Sequence, residues 1–221
     1  NRICNVPYET RSPVNTAWDI GYGDSTAITF WQEIGGEIRI IDFYEAQGEG
    51  IAHYAKIIQN KPYVYGTHYM PHDAGSGSIQ TGRTLQDVAY EQGLKATILE
   101  REKDICIGIE STRALLSVAY IDQTKCTHLI KCLENYHKKF NEKTQAYSEA
   151  PLHDWCSHAA DSVRYMANAR TQFGRGPGMM NAEKLNQLKA NAGYGPKPIP
   201  RLGPQAGFTP TSDNNPYSFR R

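Results

Sequence analysis

The stretch Thr16 to Trp31, TAWDIGYGDSTAITFW, constrains this chain more than any other. Thr16-Ala17-Trp18 leads into Asp19, Ile20-Gly21-Tyr22-Gly23-Asp24 turns, and Ser25 to Trp31 resumes as β-rich sequence. Strand, glycine turn and strand form a hairpin. A carboxylate at the end of a strand is costly to bury unless it is paired or bound to a metal. The rest of the chain must therefore supply partners for Asp19.

Glu37 to Ala46 (EIRIIDFYEA) reads as a third strand, and Gly35-Gly36 as the hairpin turn before it. Helical spacing follows at Ile51, Ala55 and Ile58, with Pro62 beyond the helix end. Val64 to Met70 is a strand leading to Pro71-His72-Asp73-Ala74, so a second carboxylate follows a strand. Gly75 to Ser78 is a Gly/Ser loop. Thr84 N-caps a helix that Gly93 follows, and Leu94 to Leu99 is a strand. Helices are predicted from Asp104 or Ile105 to Val118 and from Thr124 to Phe140, the latter with Tyr136 on its apolar side. A last helix opens near Pro151 and His153-Asp154. Trp155, Ala159, Val163 and Met166 form its apolar stripe, and Asp154, His158, Asp161 and Tyr165 an adjacent one. The predicted fold is α/β: a mixed central sheet of three antiparallel strands, then parallel ones, flanked by helices.

Of the 221 residues, those from Arg170 onward carry a net charge of +6 and the first 169 carry −5. An acidic body with a basic tail suits a metal-binding carboxylate cluster beside a polyanion-binding arm, and equally a solvated surface with a flexible end. Residues 172–221 are rich in Gly and Pro and read as a flexible basic tail, with one short helical pattern at Asn181 to Ala192. No apolar run is long enough for a transmembrane helix. Five cysteines without CxxC spacing point to reduced thiols and away from a zinc ribbon.

Asp19, Asp73 and Asp161 are the candidate site. Neighbouring strand ends lie close in space, and a packed helix brings a third carboxylate to them. Three carboxylates at one point are not all charged without a cation. Oxygen ligands suit Mg²⁺ or Mn²⁺, and such sites stabilise in-line displacement at phosphorus. Taken singly, each Asp also has an ordinary role, in a turn or on a helix surface.

Four patches carry a family resemblance: WDIGYGDSTAITFW, YMPHDA, GIESTRALLS with CLENYHKKFN, and PLHDWCSHAADSVRYM. Over roughly Ala17 to Met166 the chain resembles the C-terminal nuclease domain of the large terminase subunit of tailed bacteriophages, which is ribonuclease H-like. The closing HD…SHxAD…RY patch is the most specific. The resemblance implies a metal-dependent endonuclease that cuts concatemeric double-stranded viral DNA into genome lengths. It makes Asp19, Asp73 and Asp161 both catalytic residues and metal ligands, with two Mg²⁺ or Mn²⁺ ions when DNA is bound. Asp24 and Asp154 stand beside the motifs as further members of the acidic cluster, and His72 and His158 as accessory groups. Phosphate contact falls to Arg83, Arg101, Lys103, Lys138 and Lys139, each of which also reads as an ordinary surface charge.

The same resemblance implies partners: the portal protein, a small terminase subunit and an N-terminal ATPase domain, at the procapsid portal in the bacterial host cytoplasm and with no membrane. This chain has no GxxxxGK[ST] loop, so ATPase activity is not expected of it. Residues 1–15 read as the remnant of an interdomain linker, 16–171 as the nuclease domain and 172–221 as the tail. Two rivals remain. One is another ribonuclease H-like nuclease, of junction-resolvase or transposase type. The other is a nucleotide-binding module like actin and the sugar kinases, whose phosphate loop DIGYGDST also resembles.

Overall fold

The computed structural model describes residues 2–21, 23–77, 82–143 and 145–174. Tyr22, Ser78, most of the basic tail and the helical pattern at 181–192 lie outside them.

The three opening strands are β2 (Val14–Ile20), β3 (Ser25–Ile34) and β4 (Glu37–Gln47), following a two-residue β1 (Ile3–Cys4). Both connections are tight because glycine supplies positive φ, at Gly23 (82°) and at Gly35 and Gly36 (58° and 90°). Beyond them come α1 (Ile51–Asn60), β5 (Tyr65–Met70), a 3₁₀ turn (His72–Gly75), α2 (Leu85–Glu91) and β6 (Ala96–Ile98). The chain continues through α3 (Ile105–Val118), β7 (Tyr120–Asp122), α4 (Thr127–Asn135), β8 (Lys138–Asn141), β9 (Ala146–Pro151) and α5 (Ser157–Phe173). Seven strands form one mixed sheet in the order β1-β7-β4-β3-β2-β5-β6. The pairs β2–β3 and β3–β4 are antiparallel, while β5 runs parallel to both β2 and β6.

Period-two alternation divides the core. On β2, Ala17 joins the apolar layer that includes Val163 and Met166 of α5 and Leu115 of α3. Trp18 joins the opposite layer, with Tyr54 and Ile58 of α1 and Ala89 of α2. Each large apolar side chain fully buried in these layers contributes roughly 1.5–3 kcal/mol. Asp19, two residues after Ala17, therefore faces the α5 side. Small residues let α5 lie close against the sheet: Ala159, Ala160, Ser162, Ala167 and Ala169 are all buried. Thr29 Oγ1 and Ser162 Oγ lie 2.7 Å apart, and Arg170 Nε donates to Glu33 Oε1 at 2.8 Å. These contacts fix the helix against β3.

Local signals placed several boundaries. Thr84 accepts from Asp87 N while Asp87 accepts from Thr84 N, closing a capping box. Asp104 caps α3 through Cys106 N.

Four segments depart from the sequence reading. The helix expected to run from Thr124 to Phe140 is α4, which ends at Asn135, followed by the β8–β9 hairpin. Asn135 Nδ2 donates back to Lys131 O, satisfying a terminal carbonyl, and Tyr136 leaves with ψ 114°. Phe140 then pairs with Tyr147, ring centroids 5.1 Å apart, which a helix through this segment would not allow. The last helix begins at Ser157, so Trp155 precedes it and is exposed, not part of an apolar stripe. It also runs to Phe173, two residues past the expected domain edge. Residues 2–15, read as a linker remnant, are built into the sheet and its edge. β1 runs parallel to β7, Val6 N donates to Asp122 Oδ2 at 2.8 Å, and Gln32 holds Glu9 N, Glu9 O and Ser12 O.

Candidate metal and nuclease site

β2 and β5 are parallel neighbours, with Ala17 opposite Tyr69. Their carboxyl ends thus open on one edge of the sheet, where α/β folds place their ligands. Asp19 ends β2 and Asp73 lies on the 3₁₀ turn just after β5. Asp161 comes from the second turn of α5.

Asp19 and Asp161 are close enough for each charge to bear on the other. Burial, then Asp161, pushes the Asp19 carboxyl above its ordinary range, against the pull of His158. His158 Nδ1 lies 2.8 Å from Asp19 Oδ2, and its Nε2 lies 3.0 Å from Asp24 Oδ2. Held first by Asp19 and then by Asp24, the imidazole is raised to about 9, with burial opposing. Asp24 is lowered chiefly by His158. Asp161 Oδ1 accepts from two donors, Tyr136 Oη at 3.2 Å and Arg164 Nε at 3.1 Å. Arg164 in turn donates to Glu102, so its guanidinium lies between two carboxylates while only 8% exposed. Tyr165 senses the whole group. Burial first, and then Asp19, Asp161 and Asp73, lift its hydroxyl to about 12, with Arg164 opposing. The structure thus brings all three predicted aspartates within electrostatic reach of one side chain. Asp73 is exposed and makes no side-chain hydrogen bond among the described residues.

The predicted accessory residues divide. Asp24 and His158 join the cluster. Asp154 does not: its Oδ1 accepts from Cys156 N at 3.1 Å and from Cys156 Sγ at 2.8 Å. These contacts, Cys156 Sγ foremost, hold its carboxyl low, and it serves the turn before α5. His72 is exposed beside Asp73. Lys138 and Lys139 lie exposed on β8, and Arg101 and Lys103 are exposed on the link before α3, flanking Glu102. Arg83 pairs with Glu91.

Sequence reasoning missed Arg164, Tyr136, Glu102 and His153. Arg164 had a signal, since it follows Asp161 by three residues on one helix. Tyr136 and Glu102 had none, because their partners are 25 and 62 residues away. His153 Nε2 lies 3.6 Å from Asp24 Oδ2.

Among the described residues the carboxylate oxygens of Asp19, Asp73 and Asp161 do not all lie within 4.8 Å of one another, so it is their donor chemistry that suits a hard divalent cation. The donors are carboxylate oxygens, Asp19 is partly buried with its carboxyl raised, and Asp73 has no counter-charge of its own among the described residues. Asp161 presents its second oxygen free of the Tyr136 and Arg164 contacts.

No family model matches this chain, and no curated protein does. Solved structures do match. The large terminase of a thermophilic bacteriophage aligns with a TM-score of 0.56 at 16% identity, over 76% of this chain and 42% of that one. The nuclease domain of the P22 large terminase aligns at 0.57 and 14%, over 77% and 88%. The large terminase nuclease domain of bacteriophage SPP1, solved with bound Mn, aligns at 0.53 and 16%, over 72% and 86%. This chain spans less than half of the thermophilic phage protein. At these identities the likeness is one of fold, and the fold is that of large terminase nuclease domains.

Proposed function

We propose that this chain is a metal-dependent DNA endonuclease, the nuclease part of a viral genome-packaging motor. One observation supports the reading: the fold is that of terminase nuclease domains, and in it Asp19 and Asp73 follow the carboxyl ends of the parallel strands β2 and β5 while Asp161 of α5 bears on Asp19. Asp19, Asp73 and Asp161 would hold two Mg²⁺ or Mn²⁺ ions with DNA bound. Such ions supply an activated water and neutralise charge on the leaving oxygen.

The chain's own residues do the positioning. Tyr136 and Arg164 grip Asp161 Oδ1 and leave Oδ2 clear of both contacts. His158 fixes the orientation of Asp19. Glu102 balances Arg164, which would otherwise neutralise Asp161 more fully. Exposed Lys138, Lys139, Arg101 and Lys103 offer charge to backbone phosphates, a contact blind to sequence, as a packaging nuclease requires. The SPP1 relative's bound Mn supports the choice of ion. The portal, a small terminase subunit and an ATPase domain are the partners proposed, at the portal in the host cytoplasm. Residues 172–221 are proposed as a basic tail that meets DNA or the portal.

Plasmid cleavage tests the reading. The chain should nick and linearise supercoiled DNA with Mn²⁺ or Mg²⁺ and not with EDTA. Asp19→Ala, Asp73→Ala and Asp161→Ala should each abolish it. Any of the three that cuts as well as the wild type is not a ligand.

A further inference from the structure

We propose that Asp24, His153 and His158 form a second metal site, adjoining the aspartate cluster at His158 and selective for an imidazole-loving ion such as Zn²⁺ or Co²⁺. The three residues come from two distant segments, the glycine turn after β2 and the run entering α5. Their donor atoms lie within 4.8 Å of one another. Asp24 Oδ2 is 3.0 Å from His158 Nε2 and 3.6 Å from His153 Nε2. A tetrahedral ion with bonds of about 2.0–2.2 Å sets its ligand atoms roughly 3.3–3.6 Å apart, within about 0.3 Å of both Asp24 distances.

The second observation concerns the far side of the His158 ring. Nδ1 faces Asp19 Oδ2 at 2.8 Å. With an ion bound at Nε2, the carboxylate there would accept the Nδ1 proton and hold the ring toward Asp24 and His153. Metal-binding histidines are backed in this way. The His153 and Asp24 side chains are 72% and 50% exposed, against 12% for His158. The site therefore opens to solvent on one side, with room for a water or a phosphate oxygen as a further ligand.

Two imidazoles and one carboxylate make a softer donor set than the aspartates. Imidazole suits Zn²⁺ and Co²⁺, whereas carboxylate and water suit Mg²⁺. The two sites meet at His158, so an ion at the outer site would hold Asp19 in its present orientation. The inference stands on its own geometry and does not depend on the nuclease reading. The competing account is a protonated His158 shared between Asp19 and Asp24. That account leaves His153 as a more distant partner of Asp24 alone, 3.6 Å away, and the test turns on this difference.

Metal-stripped protein, all 221 residues, is titrated with Co²⁺ and followed by visible absorption. Zn²⁺ calorimetry runs alongside. Four- or five-coordinate Co²⁺ with imidazole ligands absorbs strongly, and six-coordinate oxygen-bound Co²⁺ only weakly. The wild type should show the strong band. His153→Ala and Asp24→Asn should lose it and weaken Zn²⁺ binding at least about tenfold, while Asp73→Asn keeps both. Circular dichroism checks that each variant is folded. The proposal is overturned if the wild type shows no such band, if folded His153→Ala or Asp24→Asn keeps it, or if Asp73→Asn loses it.

Discussion

β2 carries two polar clusters of opposite character, three residues apart. At Thr16 the cluster is neutral and buried. Trp18 Nε1 donates to Thr16 Oγ1 at 2.8 Å, and Thr16 Oγ1 lies 2.8 Å from His68 Nδ1. At Asp19 the cluster is charged, with His158 held between Asp19 and Asp24. The two histidines move in opposite directions. Burial without a counter-charge lowers His68 to about 4, while Asp19 and Asp24 raise His158 to about 9. Hydroxyl and indole partners are satisfied without any ion, so the first cluster stabilises the fold. The second sets two carboxylates against one imidazole, an imbalance that a cation would offset under the proposed function.

The largest expected effect separates the two ends by activity. Asp161→Ala should lower metal-dependent cleavage by about 10³-fold, the scale of several kcal/mol of lost charge stabilisation. Thr16→Val should leave cleavage per folded molecule near the wild type. Comparable loss in both variants would erase the distinction.

Next comes stability. Thr16→Val strands Trp18 Nε1 and His68 Nδ1 in the core, at a cost of about 2–4 kcal/mol in denaturant unfolding. A change under about 0.5 kcal/mol would mean that the neutral chain of hydrogen bonds contributes little.

The histidines also predict opposite pH slopes. His68 has a lowered folded pKa, so its contribution is complete above its unfolded value, about 6.5, and is lost as pH falls toward 4. The full effect is on the order of 3 kcal/mol, read as the difference between wild type and His68→Gln across pH 4 to 7. His158 has a raised folded pKa, so in EDTA its contribution is present below about 6.5 and lost as pH rises toward 9. Matching slopes for His68→Gln and His158→Gln would show that the two environments do not differ as described.

The smallest effect sharpens the charged end. Tyr136→Phe removes one of two donors to Asp161 Oδ1 and leaves Arg164. Cleavage should fall about fivefold, the scale of one hydrogen bond of about 1 kcal/mol. An unchanged rate would assign the orientation of Asp161 to Arg164 alone.

What the sequence determined by itself was local. Alternation along β2 placed Trp18 and Asp19 on opposite faces, glycine placed the turns, and Thr84 and Asp104 marked two helix starts, since each signal acts within a few residues. The three strand-end and helix aspartates were visible for the same reason. Their mutual approach was only an expectation until the parallel pairing of β2 with β5 and the packing of α5 set it. Tertiary structure alone decided the rest. It turned Lys138 to Asn141 into a strand because Ala146 to Pro151 could pair with it. It paired Ile3–Cys4 with β7 and tied the segment between β1 and β2 to the sheet through Asp122 and Gln32. It turned Asp154 toward Cys156 and brought His158, 139 residues away in sequence, against Asp19. Contacts over such separations depend on where whole elements dock, and no periodicity along the chain records that.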